Sequence, residues 1–584
     1  MPKNLSAARL KLALILLSTA VGLLACAPAG SGAGGPRQAA NLEARPANNA
    51  PQRTLVVAIR GELPSAAAKP LVGFSMALYP PLYLFNATLD YRDEREVPKP
   101  MLSEALPQLN TDTWRVFPDG RMETRYTLKP NLTWHDGTPL SAEDFVFAHR
   151  VYLSPQLGVA NSPPIGMMEE VTAPDDRTLV IRWKTTYPDA AVMAEGWNIG
   201  FQAMPRHILE QQFRELDPIA FSGLPFWTSE YVGLGPYRIE RWEPGTFIQA
   251  RAFDGYVFGR PKIDRLEVRF IPDPATAVAN LLAGEAHYVS DYILSVTEGL
   301  TLEQEFPSHG GGAVLYSPVS LRSSVVQLRP EVVESPALLD VRVRRALASG
   351  IDSLLAVEVL TAGKSVPTFT LTSPKVPYYG EVERVIQKHA YDPRRVQQFM
   401  EEAGYGKASD GFFAGREGQQ VQFSLASSAG AKNETEAATY VDSLRKAGLA
   451  ATQRVLPAAQ IADPETRALL PGLQVRGVGN QLVTYISDQI PGPNNRWRGE
   501  NRGGWSNPEY DRFFQIYASS LAETDRVSAV AQMERVLTEE VPVIPHYFGA
   551  EVNAHVAGLQ GPVARQAPTT SGAFLYVHAW EWRS

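Results

Sequence analysis

Residues 134–150 read WHDGTPLSAEDFVFAHR, and few strings of this length leave a chain so little conformational choice. Asp136-Gly137 is followed by Thr138-Pro139; glycine reaches positive φ at no steric cost and proline fixes φ, so the chain must turn here. Ser141 is a side-chain N-cap, and Glu143 and Asp144 put negative charge in the first helical turn, where the helix dipole is positive. Phe145, Ala148, His149 and Tyr152 then recur at i, i+3, i+4 and i+7, the spacing of one buried helical face. The segment is predicted to be a strand, a tight turn and a capped helix.

The chain around it has 584 residues, too many for a single core. At roughly 100–200 residues per domain it should hold three or four. Hydrophobic residues make up 44% and charged residues 20%, which is ordinary globular material. The formal charge is −7 and no Lys/Arg-rich run is interleaved with aromatics, so nucleic acid is not an expected partner. Nine histidines are scattered without HExxH or an i, i+4 pair, and there is one cysteine. An intrachain disulfide is impossible, and no metal or cofactor is expected. His309-Gly310-Gly311-Gly312 imitates the oxyanion loop of lipases and esterases, but no G-x-S-x-G elbow follows it. Gly73-Phe74-Ser75 comes earlier and lacks the last glycine. The glycines are therefore expected to form a plain turn, and the chain is not expected to be an enzyme.

The single cysteine, Cys26, follows a basic start (Lys3, Arg9, Lys11) and an apolar run over residues 12–25. That run is shorter than the ~20 residues that span a bilayer as a helix, so residues 1–25 read as a secretory signal peptide. Leu23-Leu24-Ala25-Cys26 resembles the bacterial lipobox, which implies lipidation of Cys26 and stable anchoring on a membrane surface. Residues 26–51, rich in Gly, Pro, Ala and Asn, read as a flexible tether. No later run reaches transmembrane length.

Beyond the tether, residues 54–60 (TLVVAIR) and 178–183 (TLVIRW) read as strands. Gly233 and Gly235 in GLGPY (233–237) suggest close backbone approach; a nucleotide loop is excluded because the third glycine is missing and no helix follows. Residues 340–352 (DVRVRRALASGID) read as a helix with Val341, Arg345 and Ala348 on one face, and Arg342, Arg344 and Arg345 forming a solvated basic side. Residues 391–405 form an N-capped helix ended by Gly404. Residues 421–424, 433–448 and 451–456 read strand, helix, strand, a βαβ unit with parallel pairing.

Taken together these strings carry a resemblance. EVPKPMLSEALP (96–107), RYTLKPNLTWHDG (125–137), MPRHIL (204–209), GLGPYRIERWEPG (233–245), DGY (254–256), NLLAGEAHY (280–288), DVRVRRALASGID, YDPRRVQQFMEEAGY with Asp410-Gly411, GWSNPEYD (504–511) and EEVPVIPHY (539–547) follow in the order seen in family 5 extracellular solute-binding proteins. These are the oligopeptide-, dipeptide- and nickel-binding lipoproteins of ABC importers. His287 stands where that family usually has Asp.

The resemblance implies an α/β periplasmic-binding-protein type II fold, with two lobes joined by a hinge and an extra inserted domain. Its layout places domain I at 52–82, 198–312 and 546–584, inserted domain II at 83–197 and domain III at 313–545. The segment 134–150 would then be structural. The implied function is capture of a small solute, a peptide above all, in the interlobe cleft and its delivery to ABC permease subunits. The protein would be a monomer, lipid-anchored on the periplasmic or cell-surface side of a bacterial membrane. The expected ligand residues are Phe74 in the loop after the first strand, Arg476, Tyr485, Asp488, Trp505 and Tyr547. Peptide binders carry an amine-pairing Asp after a GW..D run. Here that region reads VRGVGNQLVTYISD (475–488), with no Trp and with Asp488 out of register. A ligand sensor uncoupled from transport is the alternative, and a lipid-anchored hydrolase a more distant one.

Overall fold

Two long strands decide the architecture. Gly312–Val326 and Val543–Val556 pair antiparallel along their whole length, from Gly312↔Val556 to Val325↔Val543. Each carries four Val or Ile residues, which suit a pleated ladder. Pro318 cannot donate to the ladder, and the register slips between Pro318 and Ser320. These observations come from a computed structural model that describes residues 54–67, 80–157, 164–193, 200–478, 482–565 and 572–583. The leader, the tether, Cys26 and Phe74 lie outside the described residues.

On its other edge Val543–Val556 changes neighbours. One end pairs with Tyr288–Leu294 through Val552, Ala554 and His555; the other pairs with Val366–Pro367 through Phe548 and Tyr547. The switch falls at residues 549–551. On one side of it the sheet runs through Tyr288–Leu294, Thr54–Ile59, Arg265–Phe270, Phe247–Ala252 and Tyr237–Glu243; on the other it continues from Gly312–Val326 through Leu473–Val478, Gln422–Ser428 and Ala450–Leu456. Thr54–Ile59 is parallel to both of its neighbours, and so is Gln422–Ser428. Helix Ala431–Lys446 makes the crossover of the expected βαβ unit. Hydrophobic clusters cover both faces of each half, as parallel strands require.

A separate antiparallel sheet, in the order Trp114–Val116, Met122–Thr127, Thr178–Trp183, Met168–Asp175, carries the 134–150 segment against it. Helix Ala142–Tyr152 starts at Ser141, whose N–H donates to Asp144 Oδ2 at 2.9 Å. Phe145, Ala148, His149 and Tyr152 are all buried. The tight turn binds the next signature segments. His135 Nδ1 accepts from Gly233 N–H at 3.1 Å, so its Nε2–H donates to the Gly235 carbonyl at 3.0 Å. Asp136 Oδ2 meets His207 Nε2 at 2.7 Å, and Asp144 Oδ1 accepts from Arg206 N–H at 3.0 Å. The two glycines answer to contact: a Cβ on either Gly233 or Gly235 would sit 2.2 Å from the Phe85 backbone.

One expectation is corrected. Helix Val341–Gly350 buries Val343, Ala346, Leu347 and Gly350, and Arg344 is buried with them rather than solvated. Its guanidinium donates to the carbonyls of Glu540 (2.7 Å), Leu338 and Leu339. The reason is the end of helix Glu523–Glu540, whose unsatisfied carbonyls and negative dipole end accept a planar cationic fork.

Burial lowers His135 from 6.5 to about 4. A folded pKa below the unfolded one gives stability that is complete above pH 6.5 and lost as pH falls through 4, on the order of 3 kcal/mol for this ring. His135→Ala should cost roughly 2–4 kcal/mol at pH 7 by orphaning the Gly233 N–H and Gly235 carbonyl. It should also flatten the fall in stability between pH 6.5 and 4, read by urea melts; an unchanged slope would mean the ring is not held neutral.

Candidate functional site

In parallel sheets the carboxyl ends of the strands, at a point where the strand order reverses, are where small molecules collect. Two such sets of ends flank the crossing strands. From one half come Arg60, just past Thr54–Ile59, and Asp291 and Tyr292, where Tyr288–Leu294 loses its register and Tyr292 takes φ 68°. From the other come Ser428, the first turn of helix Ala431–Lys446 with Lys432 and Asn433, and the last residues of Leu473–Val478.

The crossing strands form the floor between them. Alternation puts Tyr547, Gly549 and Glu551 on one face, with Arg322 paired to Tyr547 and Ser317 to Glu551. From Tyr547 to Glu551 the floor runs about 13 Å.

At one end Glu436, fully buried on helix Ala431–Lys446, is paired with Arg322; Arg322 Nε reaches Glu436 Oε1 at 3.1 Å and its Nη2 reaches Asn433 Oδ1 at 3.1 Å. Tyr547 Oη and Tyr440 Oη also donate to Glu436, at 2.9 and 3.1 Å. Burial pushes the Glu436 carboxyl up, but Arg322 and the Tyr547 hydroxyl outweigh it and hold the group below the usual range. Next to it His546 accepts or donates at 2.7 Å to Ser324 Oγ and stacks on Tyr440, centroids 4.1 Å apart; burial lowers it to about 3, so it is neutral.

At the other end Asp291, fully buried, pairs with Arg565 at 2.8 Å, and Arg565 N–H donates to Ser317 Oγ at 2.9 Å. Glu551 stands on the same floor. Burial first, then the neighbouring Asp291, pushes its carboxyl up to about 7 against the pull of Arg565, Lys432 and Arg60.

On the opposite face Ser323 pairs with Arg476, which is ion-paired with Glu500. Arg502 meets the same Glu500 at 3.0 Å, and burial, followed by the charge of Arg476, lowers Arg502 to about 10. Arg467 also acts on that carboxylate, so three guanidiniums share one anion. Tyr485 lies beneath them; burial raises its phenol to about 12 while Arg476 and Arg502 pull it back. Arg329 holds the loop above, donating to the carbonyls of Ala468, Arg502 and Pro491.

The residues singled out from sequence are thus divided. Arg476 and Tyr485 come together under Glu500, and Tyr547 joins the Arg322–Glu436 cluster on the other face. Trp505 is buried in apolar core against Tyr510, centroids 5.2 Å apart, and Asp488 is exposed in the Ser487–Gln489 turn. Sequence reading passed over Asp291, Arg322, Glu436, Glu551 and Arg565. Their signal was weak: single charges inside runs such as SLRSSVV and FGAEVNAHV. Among the described residues no group of three His, Cys, Asp or Glu is placed to hold a metal ion.

Residues 104–480 match the model of bacterial extracellular solute-binding proteins, family 5. A Brucella ovis relative is 25% identical over 300 residues, 50% of this chain and 51% of that protein, so the chain spans about half the length of the curated relatives of that group. The oligopeptide-binding protein AppA of Bacillus subtilis is 23% identical over 484 residues, 82% of each chain. In three dimensions the chain resembles AppA bound to a nonapeptide (TM-score 0.64, 20% identity, 91% of this chain and 99% of that one). It also resembles NikZ of Campylobacter jejuni bound to Ni(L-His) (TM-score 0.68, 19% identity, 91% and 100%). The likeness establishes the type II periplasmic-binding-protein fold.

The Arg322–Glu436 pair makes a direct stability forecast. Glu436→Gln leaves a guanidinium that is 14% exposed without its counter-charge, which should cost about 3–5 kcal/mol. Adding Arg322→Leu should recover at least half of that loss in a double-mutant cycle; no recovery would mean that the two charges are not coupled.

Proposed function

The chain belongs to the bacterial extracellular solute-binding proteins of family 5, and we propose that it is the lipid-anchored substrate-binding component of an ABC importer that captures peptides. Members of the family bind solutes and do not turn them over. The observation that carries the reading is the floor of two crossing strands, with buried charged groups gathered where the strand ends of both halves converge.

In this reading residues 52–82, 198–312 and 546–584 form the first lobe, 83–197 its inserted domain and 313–545 the opposing lobe. Ligand shifts an open–closed equilibrium by its differential affinity for the closed form, and the closed lobes dock on permease subunits. Peptide is favoured over other solutes by the likeness to AppA along 82% of each chain. It is also favoured by charge. Arg467, Arg476 and Arg502 around the single Glu500 leave positive charge in excess at the end of Leu473–Val478, where a ligand carboxylate would be paired. Tyr547, buried against Glu436, would act by shaping the floor, with Phe74 a ligand residue on the family's layout; Tyr485 and Trp505 would act by supporting these elements. Cys26, lipidated, would tether the protein outside the cytoplasm on a membrane surface, as a monomer.

Purified mature protein should melt higher with tri- to pentapeptides, by an amount equivalent to about 2.7 kcal/mol at 100 Kd. If only sugars or metal chelates raise the melting temperature, the peptide reading fails while the binding reading stands. Arg476→Gln should weaken free-carboxylate peptides about tenfold (roughly 1.4 kcal/mol) and leave their C-terminal amides unaffected; equal losses for both would remove Arg476 as the carboxylate partner. Cys26→Ser should move the protein from the membrane to the soluble fraction, and retention on the membrane would refute the anchor.

A further inference from the structure

The two floor strands carry two charged side chains, Arg322 and Glu551. Arg322 has Glu436 and Asn433, and Asp291 has Arg565. Glu551, half-buried on the crossing strand, has no ion pair and no side-chain hydrogen bond among the described residues. It stands where Val543–Val556 has left Tyr288–Leu294 and not yet met Val366–Pro367, so the strand is unpaired on that edge. Its neighbour on the same face toward Tyr547 is Gly549, which fills no space. Opposite are Ser317, whose hydroxyl is already taken by Arg565 N–H, and the buried Asp291. A carboxylate drawn out of water without an ion pair is costly, and half-buried Glu551 keeps part of its surface exposed.

We propose that Glu551 is the site at which this protein receives a positively charged group of its ligand, an amine or guanidinium. The inference rests on the solute-binding reading above and gives it a substrate class: cationic peptides or solutes. Glu436 is too well satisfied to serve, since two arginine nitrogens and two tyrosine hydroxyls already occupy it.

The same geometry predicts a proton. The charged groups that face Glu551 are Asp291, which disfavours its ionisation, and Arg565, Lys432 and Arg60, which favour it; burial tips the balance and places its carboxyl at about 7. A cation arriving beside it favours the ionised form, so binding releases the proton that the empty site holds. About half a proton per ligand should be released at pH 7, and affinity should tighten about tenfold from pH 6 to pH 8.

The test uses the whole mature protein and four tripeptide probes: Ala-Lys-Ala, Ala-norleucine-Ala, and the N-acetyl form of each. Removal of one of the two positive charges, terminal or side-chain, should weaken binding at least tenfold in the wild type and less than twofold in Glu551→Gln. Calorimetry of the unmodified protein in two buffers of different ionisation enthalpy should show the proton release, and this readout needs no variant. Tight binding of all four probes without proton release would overturn the cation site while leaving the peptide reading intact. Binding of cadaverine or spermidine, but of no tripeptide, with loss in Glu551→Gln would support the site and overturn the peptide reading. A tenfold charge preference that survives Glu551→Gln, or no binding by any of these probes, would overturn the assignment of Glu551.

Discussion

The pairing of Gly312–Val326 with Val543–Val556 is the constraint on which the rest depends. Thirteen residue pairs tie these strands together while their outer neighbours change from one half to the other. A ladder that long resists shear, so the halves can move relative to one another only where it is weakened. Two irregularities mark such places, at Pro318/Ser320 and at Arg322/Ser323, and both lie beside the polar floor. On the proposed reading, ligand site and flexing point fall at the same few residues, so that occupancy of the floor would bias the arrangement of the halves.

A second organising knot lies away from the floor and has a different purpose. His135, Asp136 and Asp144, all within one signature string, bind the backbone or side chains of two later signature segments, at residues 206–207 and 233–235. The strings that stand out most in the sequence thus hold one another and contribute no group to the floor. Conspicuous composition here reports a crowded junction, where only glycine fits beside the Phe85 backbone and the neutral His135 ring both accepts and donates.

How much was legible follows from which forces are local. Helix Ala142–Tyr152, the N-capped helix after Asp392 and the βαβ unit over residues 422–456 were all readable, because capping and periodicity are written within one or two turns. The basic side of helix Val341–Gly350 misled, because nothing local says that Arg344 will meet the end of a helix almost two hundred residues later. The same limit hid the floor. Glu551 reads as one charge in a strand, and only the pairing of distant segments shows that it has no ion pair among the described residues. Trp505 and Tyr485, chosen as aromatics near a signature turn, are packed in the core of the 313–545 segment; aromatic identity does not distinguish a wall from a core.

Two ion pairs that join the halves away from the ladder are partly exposed. Arg526 meets Asp189 at 3.0 Å, and Lys364 meets Glu303 at 2.9 Å. Partly exposed pairs of this kind contribute about 0–1 kcal/mol each. That is enough to favour one arrangement slightly and too little to lock it. Buried pairs such as Asp291–Arg565 lie within one half or on the floor, where they set shape and charge and do not decide closure. On the proposed reading, a closed form held only by such pairs would let a ligand worth a few kcal/mol of differential affinity move the population substantially. The division of labour between strong pairs that build the floor and weak pairs that span the halves is thus what a solute-binding protein needs: a rigid site on a yielding frame.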